Sequence, residues 1–93
     1  MTIYHKNGTI ITVQYASIEA AVKAGVSLTG ADLTDADLRG AILTNANLTN
    51  ATLTDANLRG ANLRGADLTD ADLTAADLTN ATLTLGNRRV SLA

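Results

Sequence analysis

The sequence contains no cysteine, phenylalanine or tryptophan, and it has only two tyrosines, Tyr4 and Tyr15. Without cysteine, the chain can form neither disulfide bonds nor thiolate metal sites. Without large aromatic side chains, it has little with which to fill the wide core of a compact globule. Its apolar residues are mainly alanine and leucine. This composition favours a thin core that is repeated along an axis.

Two further absences bear on location and partners. No apolar run is long enough to span a bilayer, and the N-terminal residues lack the basic-then-apolar pattern of a signal peptide, so we expect a cytoplasmic protein without membrane contact. Residues 26–85 carry eight aspartates and three arginines, whereas residues 1–25 and 86–93 have net charges of +1 and +2. Because phosphate-backbone binding needs clustered lysine and arginine, we expect no direct binding to nucleic acid.

Residues suited to catalysis are not grouped in the sequence. His5 is the only histidine and stands beside a predicted turn, without a second histidine or a carboxylate pair nearby. The glycines at 30, 40, 60 and 65 lie in no phosphate-loop pattern. We therefore predict no catalytic, cofactor or metal site, and no enzyme activity.

The dominant feature of the sequence is a repeat of five residues. Leucine recurs at every fifth position from Leu28 to Leu83, twelve times in all. Two residues before each leucine stands Val26 or, in the eleven later units, an alanine. The repeating unit reads A-(D/N)-L-(T/R)-x.

A period of five fits neither common element of secondary structure. On an α-helix, steps of five residues place successive leucines about 140° apart, so no apolar face forms. On a flat strand, an odd step sends them to alternate faces. A chain that turns a corner after every five residues keeps all of them inside. Four corners close a coil of about twenty residues, and stacked coils can then pair through backbone hydrogen bonds.

The run 26–85 resembles the pentapeptide-repeat family, because segments such as ADLTDADLRG (31–40) and ANLRGADLTD (61–70) match its motif unit by unit. The resemblance implies an all-β solenoid, a right-handed quadrilateral β-helix with a leucine at the centre of each face. Twelve units then correspond to three coils.

The two ends depart from the repeat, and we predict that residues 1–25 cap the first coil. Asn7-Gly8 predicts a type I′ hairpin turn, with Tyr4 and Ile11 on one face. Ser17 is typical of a helix N-cap and Gly25 of a helix stop. Residues 85–93 either fold over the last coil or form an end-to-end homodimer.

Stacking with a twenty-residue period brings certain outward side chains into columns, and we identify eight of them as a possible partner surface. Four form an acidic strip, three are arginines, and Ile42 is apolar at a normally polar position. The eight are Asp32, Asp35, Asp55, Asp72, Arg39, Arg59, Arg64 and Ile42. The alternative interpretation is structural: aspartate and asparagine hydrogen-bond local backbone at turns, and the arginines neutralise neighbouring aspartates.

Three functions are compatible with these features. The first is a non-catalytic interaction or structural module, with a protein as its partner. The second is a DNA mimic that modulates a DNA-binding enzyme such as DNA gyrase, as the resemblance implies for some longer, more acidic relatives. The third and weakest is ice binding through columns of threonine, a residue that also suits a solvated extended wall for other reasons.

Overall fold

The computed structural model describes residues 2–12 and 15–84. Two short strands, β1 (Ile3–Tyr4) and β2 (Ile10–Thr12), form an antiparallel hairpin, and the helix α1 (Ile18–Lys23) follows them. After α1, the chain consists of turns joined by isolated β-bridges. The tail proposed for end-to-end association, residues 85–93, lies outside the described residues.

The hairpin turn is longer than the type I′ turn predicted from Asn7-Gly8. The Gly8 N–H donates to the His5 carbonyl at 2.8 Å, and the His5 N–H donates to the Thr9 carbonyl at 2.7 Å. Gly8 has a φ of 93°, but Asn7 is not among the residues with positive φ, and a type I′ turn requires positive φ at both. Asn7 instead uses its side chain, because its Oδ1 accepts from the Thr9 N–H at 2.9 Å and the Thr9 hydroxyl at 2.7 Å.

This turn changes which hairpin residues point inward. Ile3 pairs with Thr12 and Tyr4 pairs with Ile10, with an irregularity between the two pairs. Ile3 is buried, whereas Tyr4 is 48% exposed. The prediction that Tyr4 and Ile11 share a face is therefore wrong, since Ile11 packs against the core.

Helix α1 starts where the sequence predicts. The Ser17 hydroxyl accepts from the Ala20 N–H at 3.1 Å, which satisfies one of the unpaired donors of the first turn. The C-cap is Ala24, followed by Gly25 with a φ of 84°. The apolar side of the helix faces the core through Ile18, Ala21 and Val22.

Each coil takes twenty residues, because the parallel bridges join Asp32 to Thr52 and Thr52 to Asp72. We number the positions of the unit A-(D/N)-L-(T/R)-x from 1 to 5, so that alanine is at position 1 and leucine at position 3. Each position has one backbone N–H group. Position 3 donates to the next coil, as Leu48 does to the Asp67 carbonyl at 2.8 Å. Position 5 also donates to the next coil, and position 2 donates to the preceding one.

Position 1 closes a turn within the coil, as Ala56 does by donating to the Leu53 carbonyl at 3.0 Å. Backbone carbonyls therefore accept from four of the five N–H groups in an interior unit. The N–H of position 4 is left without a backbone acceptor by this pattern, so it must find a side chain or water.

The core is a stack of leucine and alanine. Ten leucines, from Leu28 to Leu73, are buried, and most of the alanines of position 1 lie between them. The expectation that all twelve leucines are buried is wrong at the C-terminal end, because Leu78 is only partly buried and Leu83 is 45% exposed. These two belong to the last units, and no further coil among the described residues covers them.

Position 5 adopts a left-handed backbone conformation in every unit between residues 30 and 80. Glycine, asparagine or aspartate fills ten of these positions, and these residues accept positive φ at low cost. The exception is Ala75, with a φ of 61°. Its Cβ strains the corner that the other ten residues turn easily.

Residues near the N-terminus supply partners for the first coil, which has no preceding coil to pair with. The Asp32 N–H donates to the Tyr4 carbonyl at 2.7 Å, and the Ile42 N–H donates to Glu19 Oε2 at 3.0 Å. Lys6 Nζ reaches the Asn50 carbonyl at 3.0 Å, which ties the hairpin to the second coil. The N–H groups of Asp32 and Ile42 therefore have acceptors within the chain. Unpaired N–H groups at the edge of a sheet can otherwise pair with another chain.

Replacing Leu58 with alanine tests the core. Leu58 is fully buried, so Leu58→Ala removes apolar contacts and leaves a cavity, and we expect a loss of about 2–5 kcal/mol in the free energy of unfolding. Urea titration followed by circular dichroism measures it. The control is Leu83→Ala at the exposed end, for which we expect a clearly smaller loss, and equal losses would contradict the burial gradient.

The corner strain predicts a stabilising substitution. Ala75→Gly relieves the left-handed alanine and should raise the free energy of unfolding by about 1 kcal/mol. Gly60→Ala is the reverse experiment, because Gly60 has a φ of 70° and an added Cβ would meet no atom within 4 Å. It should lower stability by a similar amount, measured by the same titration. A less stable Ala75→Gly protein would show that the corner is not strained.

Candidate interaction surface

The side chains of unit position 2 supply the acceptor that the backbone does not. In nine of the twelve units, an oxygen of this side chain accepts from the N–H of position 4. In the Asp67 unit, for example, Oδ1 accepts from the Thr69 N–H at 3.0 Å and from the Thr69 hydroxyl at 2.6 Å. This local bond explains why aspartate and asparagine precede most of the leucines.

These bonds also change the acidity of the aspartates. Hydrogen bonds from the threonine hydroxyl first, and the threonine N–H second, hold the pKa below its usual value in Asp32, Asp67, Asp72 and Asp77. In Asp37, the hydrogen bond from the Arg39 side chain is the main cause of a lowered pKa. Hydrogen-bond donors stabilise the ionised form of each carboxyl group, so the ionised aspartates also stabilise the folded chain.

The acidic strip predicted from Asp32, Asp35, Asp55 and Asp72 occupies two columns of one face, those of unit positions 2 and 5. Thr52 separates Asp32 from Asp72 in the first column. Asp35 and Asp55 form the second, in left-handed corner conformations. The carboxylates of Asp32 and Asp72 already accept hydrogen bonds from Thr34 and Thr74. The strip is therefore less continuous, and less available to a partner, than its sequence indicates.

Lys6 lies close enough to the strip to help lower the pKa of Asp72. Sequence reasoning missed this interaction, because Lys6 is remote in the chain and no repeat relates it to Asp72 in the third coil. The only signal available was its position beside the hairpin turn.

Two of the three arginines form ion pairs. Arg39 and Arg59 share a column, since Gly40 beside the first donates to the carbonyl of the second at 2.8 Å. Arg39 binds Asp37 at 2.7 Å, and Arg59 lies 3.8 Å from Asp77. All four side chains are exposed to solvent, by between 45% and 64%, so the pairs add little stability, but they neutralise part of the acidic surface.

Ile42 and Arg64 lie on a different side, which we call the Ile42 face. It consists of the units 41–45 and 61–65 and the described part of the last unit, 81–84, whose second positions are joined by parallel bridges. Ile42 is 64% exposed, and Arg64 is exposed without an ion pair to any described residue. The structure thus places the eight candidate residues on several faces and not in one site.

A groove of about 500 Å³ runs between helix α1 and the Ile42 face. Its lining residues are Glu19, Ala20, Val22, Lys23, Ile42 and Thr44. The groove was not foreseen from the sequence, because it depends on how α1 packs against the first coil.

The described residues contain no group of three or more histidine, cysteine, aspartate or glutamate side chains that could hold a metal ion. Within the same residues, no helix has the length and apolar character needed to cross a membrane.

Comparison with known proteins identifies the repeat. The family described as pentapeptide repeats matches residues 24–60 and 46–84, with eight copies. No protein of curated function matches significantly. Among solved structures, the pentapeptide repeat protein Rfr23 from the cyanobacterium Cyanothece 51142 is 42% identical with a TM-score of 0.57, and the match covers 67% of this chain and 40% of that one.

A second solved structure, a pentapeptide repeat protein from the Arabidopsis thaliana thylakoid lumen, is 33% identical with a TM-score of 0.41. The match covers 72% of this chain and 47% of that one. The chain therefore spans less than half the length of both proteins.

The lowered aspartate pKa values predict acid sensitivity. The unfolded chain binds these protons at higher pH than the folded chain, so the stabilisation is complete above the unfolded pKa and is lost as pH falls through the folded pKa. We expect the free energy of unfolding to fall below about pH 4. Urea titrations between about pH 7 and pH 2.5 measure it.

The matched control keeps the hydrogen bonds and removes the titration. In the triple variant Asp67→Asn, Asp72→Asn and Asp77→Asn, each amide oxygen can still accept, as the side chains of Asn57 and Asn62 do. Its stability should depend less on pH. A decline as steep as that of the parent would show that these three aspartates are not responsible.

Proposed function

The chain belongs to the pentapeptide repeat family, whose members have a right-handed β-helix fold, and we propose that it acts as a non-catalytic interaction module with a protein as its partner. The observation that carries this proposal is the backbone ladder, which repeats every twenty residues from the first coil to the described end of the last. Such a ladder holds outward side chains at fixed spacing. A protein partner could then bind without a large cost of ordering the surface.

We propose in addition that the module consists of three coils, residues 26–85, closed at one end by residues 1–25. The bonds from Asp32 to Tyr4 and from Ile42 to Glu19 support such a cap. End-to-end association through residues 85–93 stays a proposal, supported by the exposure of Leu83 just before this segment. A cytoplasmic location also stays a proposal, since one relative of this family comes from the thylakoid lumen.

The DNA-mimic alternative has weaker support. A mimic of the phosphate backbone needs a continuous row of available negative charges. Here Thr52 interrupts the strip, and Lys6 and Arg59 place positive charge beside aspartates. We expect no effect on supercoiling by DNA gyrase, and dose-dependent inhibition would favour the mimic.

Ice binding has weaker support for a related reason. A regular array must offer its hydroxyl groups to water. Four threonine hydroxyls instead donate to aspartates of the same unit, in Thr34, Thr69, Thr74 and Thr79.

Affinity purification from the source organism tests the proposed role. The full chain is immobilised beside a scrambled chain of the same composition, which has equal charge but no repeat. We expect a protein enriched on the native chain alone, and saturable binding of that protein in calorimetry. Equal retention on both chains, or no saturable binding afterwards, would contradict a role for the folded surface.

A further inference from the structure

The Ile42 unit lacks the side-chain oxygen on which the local bond of nine other units depends. Every other residue at unit position 2, from Ser27 to Thr82, has a side-chain oxygen, whereas isoleucine has none to offer to the Thr44 N–H. No oxygen among the described residues accepts from this N–H. Ile42 gains no burial in exchange, because it is 64% exposed. Departures from a local rule without a structural gain are expected at functional sites, so the surroundings of Ile42 are the place to look for one.

The groove beside Ile42 contains the chemistry to use that free donor. Thr44 lines the groove, so the groove lies beside this donor, and Lys23 adds a positive charge to the lining. Val22 and Ile42 form apolar walls. The one acidic side chain in the lining, Glu19, is already bound to the Ile42 N–H at 3.0 Å.

The charge of the surrounding surface points the same way. The units 41–45, 61–65 and 81–84 contain no aspartate or glutamate, whereas the other faces share all eight aspartates of the repeat. Arg64 follows Thr44 in the same column, since Asn45 donates to the Arg64 carbonyl at 2.8 Å. The repeat units of this face therefore repel a negatively charged group less than the other faces do, and in the groove Lys23 offsets the charge of Glu19.

We propose that this groove binds an aspartate or glutamate side chain of a partner protein, whose carboxylate accepts from the Thr44 N–H. The carboxylate takes the place that the Asp72 side chain takes against Thr74, where Oδ1 accepts from the N–H at 2.9 Å. Lys23 stabilises its charge, and an apolar neighbour in the partner packs against Val22 and Ile42. This inference rests on the proposed protein-binding function and assigns it to one face.

A peptide titration followed by nuclear magnetic resonance tests the proposal on the full chain. The probe is the acetylated and amidated peptide Leu-Ala-Asp-Ala-Leu, and its matched control has asparagine in place of aspartate. We expect saturable shifts of the Thr44 and Lys23 amide signals with the acidic peptide. Binding of the asparagine peptide should be about tenfold weaker, because it lacks the charge that strengthens the hydrogen bond.

Two variants separate the groove from the rest of the coil. Ile42→Asn supplies the missing oxygen from within the chain, so it should occupy the Thr44 N–H and weaken peptide binding about tenfold or more. Thr52→Asn makes the equivalent change at unit position 2 of another face and should leave binding unchanged. Lys23→Gln should weaken binding of the acidic peptide more than binding of the asparagine peptide.

Four outcomes would overturn the proposal: no saturable shift at Thr44, equal binding of the two peptides, equal loss in both asparagine variants, or the same shifts on raising the concentration of the protein alone. The last would assign the groove to a second copy of the chain. If the peptide does not bind while affinity purification finds a partner, the partner binds another face. Only the inference about the groove is then contradicted. If purification finds no partner but the peptide binds, the proposed function lacks its native ligand.

Discussion

The hydrogen bond from each leucine N–H of the first two coils to the next coil is the interaction on which the rest of the structure depends. It fixes the coil at twenty residues and aligns equivalent units in columns. Leucine then stacks on leucine and alanine on alanine in the core. The same bond leaves the N–H of unit position 4 without a backbone acceptor, which explains the aspartates and asparagines before the leucines.

Much of this architecture can be predicted from the leucine spacing, because a five-residue period allows few ways of keeping one residue type inside. The left-handed corners follow from glycine, asparagine and aspartate at unit position 5. The N-terminal segment is harder. Asn7-Gly8 indicates a hairpin but not the length of its turn. The Asn7 side chain accepts hydrogen bonds from Thr9, and the preference of Asn-Gly for a type I′ turn takes no account of such bonds.

The candidate surface shows a different limit. Sequence reasoning found the aspartates and arginines by their columns, but a column does not reveal whether a carboxylate is free or bound. In the structure, Asp37 is paired with Arg39 and Asp72 with Thr74. The partners of Glu19 and Lys6 come from residues more than twenty positions away, so only the fold brings them together. Ile42 was recognised from the sequence as an exception, but its groove needed the position of α1.

The twenty-residue coil has a consequence for how such a chain can change length. Gain or loss of one pentapeptide keeps the core residues inside but rotates everything that follows by a quarter of a turn. Thr82 would then no longer lie above Asn62, and each surface column would be cut at that point. Only duplication or deletion of four pentapeptides together leaves every column intact. Any activity that depends on a column therefore restricts tolerated length changes to whole coils, although the leucine pattern alone would permit single units.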